Sequence, residues 1–108
     1  MVATESIRSE LQQQLRTLFG ERVWFSASAP APQGWLQNAR VQQLLHDLIT
    51  ALSTQLQLDA VSAAAQGFEA EAKRLRARER AVSALRHQQW HIPEVQQELW
   101  RLVWGDSV

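Results

Sequence analysis

Apolar residues recur at helical spacing in four stretches of the chain. In the first, Ile7, Leu11, Leu15 and Leu18 share one side of a helical wheel while Gln12, Gln13 and Arg16 point elsewhere, which predicts an amphipathic helix over 5–19. Gly20 stands where the left-handed residue after a helix belongs. The second stretch is the most regular. Val41, Leu44, Leu45, Leu48, Ile49, Leu52 and Leu56 follow the threes and fours of a buried face, with Gln43, Asp47, Thr50 and Thr54 opposite, and predict a helix over 36–57.

Asp59 suits the N-cap of a third helix, predicted over 60–88 in alanine- and arginine-rich sequence. Its apolar positions, Leu58, Val61, Ala65, Phe68, Ala72, Leu75 and Val82, are spaced like a heptad seam, with Glu79 the polar member of the series. Gly67 lies inside it and costs about 1 kcal/mol relative to alanine, so it marks the place where the helix would break. Pro93 suits the first position of a last helix, predicted over 93–104 and stopped by Gly105. There Val95, Leu99, Leu102 and Val103 make one stripe, which Trp100 and Trp104 widen.

The connector over 21–34 reads differently. Val23-Trp24-Phe25 favours β geometry, but no second such run exists to pair with it, so the triplet is expected to clamp onto helices. Pro30 and Pro32 keep the remainder irregular. The expectation is an all-α fold of about four helices in a single domain over 1–108, since 108 residues fit one domain.

Dimensions add a further expectation. A helix over 60–86 is about 40 Å long, whereas a compact globule of this size is about 34 Å across. An overhanging apolar seam calls for a second copy, which predicts a homodimer formed through Val61, Ala65, Phe68, Ala72, Leu75 and Val82. The alternative is a break at Gly67 that folds the segment into two shorter helices of a monomeric bundle.

Composition narrows the class. With 45% hydrophobic and 20% charged residues the chain can form a core. Eleven Lys and Arg balance eleven Asp and Glu, so no global field draws it to nucleic acid or anionic lipid. It has no cysteine, hence no disulfide or thiolate site. The polar start, Met1 to Ser6, lacks the apolar core of a secretory signal, and no run approaches the roughly 18 apolar residues of a membrane span. A cytoplasmic protein without membrane contact is expected.

Three constellations hold candidate chemistry. Lys73, Arg74, Arg76, Arg78, Arg80 and Arg86 cluster against a single acid, Glu79. They suit a helix lying along phosphates or an acidic protein, or else a solvated face in which Glu69–Lys73 and Glu71–Arg74 are matched locally. Of five tryptophans, Trp90, Trp100 and Trp104 are candidate partner-binding anchors, with closure of a small core as the alternative. His87 and His91 are four apart, with Glu94 nearby. Gln88 replaces the glutamate of the zinc-protease motif, and the helix is ending there, so no metal is expected. His46 reads as solvated.

Glycine-rich phosphate loops and nucleophile elbows are missing from the sequence, and no cofactor is expected. The reading is a noncatalytic protein-interaction module (adaptor, assembly factor or small regulator) with a protein partner, using Trp90, Trp100, Trp104, Arg74, Arg76, Arg78 and Arg80. The alternative is a small nucleic-acid-binding protein using the arginine-rich segment 73–86. An enzyme ranks third.

Overall fold

The computed structural model describes residues 4–20 and 23–105. Four α-helices follow one another: α1 (Thr4–Phe19), α2 (Ala39–Ala65), α3 (Glu69–Ala84) and α4 (Pro93–Trp104). Single 3₁₀ turns precede α2 at Trp35–Gln37 and follow α3 at Leu85–His87. There is no strand among the described residues, and the all-α expectation holds. Positions 21 and 22 of the predicted connector lie outside the described residues.

Helix ends follow local chemistry. The Asn38 side chain accepts from the Val41 N–H at 3.1 Å and caps the start of α2, replacing the predicted start at 36. Pro93 opens α4 as predicted, and Gly20 takes a left-handed φ of 61°.

The third helix is corrected. It does not begin at 60 and run to 88. Instead α2 continues through Asp59, whose carboxylate accepts from Gln55 one turn earlier at 2.9 Å, so the supposed cap is an ordinary surface residue inside a helix. The chain breaks at Gly67, φ 83°, in a Schellman motif: the Phe68 N–H bonds to Ala63 O at 2.9 Å and the Gly67 N–H to Ala64 O at 3.1 Å. A Cβ on Gly67 would meet nothing within 4 Å, so backbone conformation alone selects glycine here.

α3 then folds back along α2. Small residues let the two axes approach: Ala60 and Ala63 of α2 and Ala72 of α3 are buried between them. The core lies at the other end of α2. There Leu11 and Leu15 of α1, Leu45, Leu48 and Ile49 of α2, and Leu99, Trp100 and Val103 of α4 are all fully buried, and Trp35 joins them from the 3₁₀ turn.

α4 is tied to α1 by side chains. Arg8, 8% exposed, donates Nε–H to Leu102 O at 3.1 Å and a second N–H to Glu5 at 2.6 Å, while Gln12 donates to Val103 O at 2.8 Å. These groups satisfy carbonyls that the end of α4 leaves without helical partners.

The connector is held by α4. Gln97 accepts from Ala31 N at 3.0 Å and donates to Ala29 O at 2.9 Å, so one amide side chain pairs with extended backbone as a neighbouring strand would. Trp100 donates Nε1–H to Ser26 O at 2.9 Å. Val23 and Phe25 pack on the core as expected of a clamp, whereas Trp24 is 77% exposed.

At 1.5 Å per residue α2 is about 40 Å long, and the molecule measures 47 × 28 × 22 Å. The predicted overhang of one helix over 60–86 is not found: the chain takes the alternative, a break at Gly67, and α3 returns along the far part of α2. Together the distal part of α2 and α3 form an arm that projects from the four-helix core.

Candidate functional site

The arm has an inner and an outer side, and the seam predicted for one helix is divided between them. Ala72 and Val82 are buried against the chain's own α2, and Leu75 is half-buried. Val61, Ala65 and Phe68 are exposed, together with Leu58. Leu58, Val61 and Phe68 are 60%, 66% and 57% exposed, although large apolar side chains elsewhere in the helices are mostly buried.

This exposure follows from where α1 stops. Thr4 lines a groove together with Thr54 and Leu58, so α1 covers α2 only to about that level. Beyond it, among the described residues, Val61 and Ala65 on the outer face of α2 are left exposed. The groove between α1 and α2 is an open trough of about 830 Å³ with Ile7, Leu44, Ala51 and Leu58 along it. Glu5, Glu10 and Asp47 stand around these apolar residues, and no lysine or arginine lines it. Leu58 is common to the groove and the exposed tip, so the two are one surface.

α3 borders the same surface from the other side. Gln57 donates to Glu79 at 3.1 Å, and Arg86 donates to Thr50, itself a groove residue, at 3.0 Å. Arg76, Glu79, Ser83 and Arg86 form one row at spacings of three and four, so Arg76 belongs to this border, and Arg80 lies next to it. Arg74 turns the opposite way. It grips Glu71 through two hydrogen bonds, 2.5 and 3.1 Å, which hold the Glu71 carboxyl below its usual range and raise Arg74. Arg78 lines a separate shallow depression between α3 and α4 with Arg101, which is paired to Glu98. The four arginines predicted to act together are therefore split between two sides of the arm.

No family model, curated protein or solved structure matches the chain. The site is accordingly built from its own geometry.

The predicted tryptophan anchors lie elsewhere. Trp100 is not offered to a partner: it is fully buried, edge-on to Trp35 with ring centroids 5.1 Å apart. The stripe of α4 is so broad that its centre, Trp100, faces the core. Trp104 is half-buried between Phe25, at 4.9 Å, and the Arg16 guanidinium, at 5.1 Å. Trp90 donates Nε1–H to Leu85 O at 2.8 Å and stacks on His46 at 4.6 Å, so His46 is a lid on Trp90 as well as a surface residue.

Among the described residues no three His, Cys, Asp or Glu side chains are grouped to hold a metal ion, and no helix is long and apolar enough to cross a membrane. Glu5, Glu10 and Asp47 were not singled out by sequence reading. The available signal was the seven-residue repeat Asp47, Thr54, Val61, which crosses the point where two helices were expected to meet.

Proposed function

We propose that the chain is a noncatalytic protein-interaction module of the cytoplasm, an adaptor, assembly factor or small regulator, that acts through its arm and associates with a second copy there. The observation that carries this is the exposure of Leu58, Val61 and Phe68, three large apolar side chains more than half exposed on a projecting hairpin. Folding gains nothing from large apolar residues at solvated helix positions, and several of them on one projecting element mark an interaction surface. The carboxylates support the noncatalytic part: Glu5, Glu10, Glu71 and Glu98 are each engaged by an arginine.

Light scattering tests the reading. The wild-type chain is expected at twice its 12.3 kDa, and Val61→Asp combined with Phe68→Asp is expected at 12.3 kDa with unchanged helical circular dichroism. A wild-type chain that stays monomeric at every concentration overturns it.

One observation favours a second reading, binding of nucleic acid along α3: Lys73, Arg76 and Arg80 are exposed and take part in no ion pair among the described residues. Its signature is duplex DNA binding whose logarithmic salt slope falls by about 1 for each of Arg76→Gln and Arg80→Gln. Binding that neither substitution changes removes this reading.

A further inference from the structure

Resting on the self-association proposed above, we infer that two copies pair with their α2 helices parallel and in register, each burying the other's acidic groove beneath its basic α3. The outer strip of α2 repeats by sevens, Asp47, Thr54 and Val61, with Leu58 and Ala65 four residues after Thr54 and Val61, which is the spacing of a helix that packs along another helix. Its two margins carry opposite charge. On the α1 margin Glu5 and Glu10, bonded to Arg8 and Arg40, stand with Asp47 and leave a net negative charge, and on the α3 margin Arg76, Arg80 and Arg86 outnumber Glu79.

A closed dimer of identical strips has two symmetric arrangements. An axis across the strip makes α2 antiparallel to its copy and sets acid against acid and base against base. An axis along the strip makes them parallel, sets Leu58 and Val61 against their own copies, and brings the acidic margin of each subunit onto the basic margin of the other. Like-charge contact is unfavourable, so electrostatics selects the parallel form.

The levels also match. Glu79 reaches Gln57 and Arg86 reaches Thr50, while Glu5 and Asp47 line the groove over that same span of α2. Arginine stems from α3 of the partner then lie over Ile7, Ala51 and Leu58 while their charged ends meet Glu5 and Asp47. A chain of zero net charge, with its charges separated across one face, is complementary to itself.

The chain has no cysteine, which makes the test direct. Thr54→Cys and Ala65→Cys are both exposed positions on the strip, about 16 Å apart along α2. With residues facing their own copies, both variants are expected to form intersubunit disulfides under mild oxidation, because a disulfide needs Cα atoms within about 7 Å. Arg76→Glu is expected to weaken the dimer about tenfold at low salt, two margins contributing per dimer, with a smaller effect at high salt. A dimer that crosslinks at only one of the two positions, or that Arg76→Glu leaves unchanged, overturns the parallel pairing while leaving self-association standing. A monomeric wild type overturns both.

Discussion

Replacing Trp100 with alanine is expected to destabilise the fold by about 3–5 kcal/mol, the range for large aromatic side chains removed from a packed interior. In a chain of this size that lowers the melting midpoint on the order of 15–25 °C. Trp100 is fully buried, edge-on to Trp35, and flanked by Phe25 and Trp104, so no neighbour is free to collapse into the space it leaves. It also holds the connector through the bond to Ser26 O. Trp100→Phe therefore retains much of the packing but removes one of the two donors to that carbonyl, which keeps the Ala29 N–H at 3.2 Å, at about 0.5–1.5 kcal/mol. Urea unfolding of both variants checks this. A loss below about 1 kcal/mol for Trp100→Ala would mean that the tryptophan is not where the core places it.

Trp35→Ala is expected to cost a similar amount, about 3–5 kcal/mol, since Trp35 is equally inaccessible. Its phenylalanine variant separates the two residues. Trp35 Nε1 is buried with no acceptor among the described residues, so Trp35→Phe removes an unsatisfied donor along with part of the ring. Trp35→Phe should thus be milder than Trp100→Phe. In the double-alanine cycle the two losses should fall short of additivity by about 0.5–1.5 kcal/mol, the value of an edge-to-face pair. Full additivity in urea unfolding would show that the rings do not touch.

Helix identity was legible in the sequence wherever a local rule had no competitor. Pro93 can do only one thing well in its position, and a helix starts there. Gly67, by contrast, was expected inside a helix over 60–88 with a break as the alternative, because a glycine is also tolerated within a helix, and the alternative is what the structure takes. Asp59 misled because a residue good at capping is also tolerated on a helix surface, and Gln55 occupies its carboxylate there. That single misplacement moved Leu58, Val61 and Ala65 onto the wrong helix. The seam was visible, and its owner was not.

Trp100 shows a different limit. Nearly half of α4 is apolar in circumference, and periodicity cannot say which edge of so wide a stripe faces inward; the packing of Trp35 and Phe25 decides it. The acidic margin depends on contact between residues more than forty positions apart, such as Glu5 beside Asp47 in one groove, and no local pattern encodes that.

The inner side of the arm is lined largely by alanine, and a buried methyl contributes only about 0.8 kcal/mol where a leucine contributes about 1.5–3. Such a hairpin, cut loose, would melt. It stays helical because α2 is rooted without interruption among the leucines of the core, and nothing along it serves as a hinge. Presentation of the tip is thereby tied to completed folding: a chain whose core has not formed has no ordered strip to display.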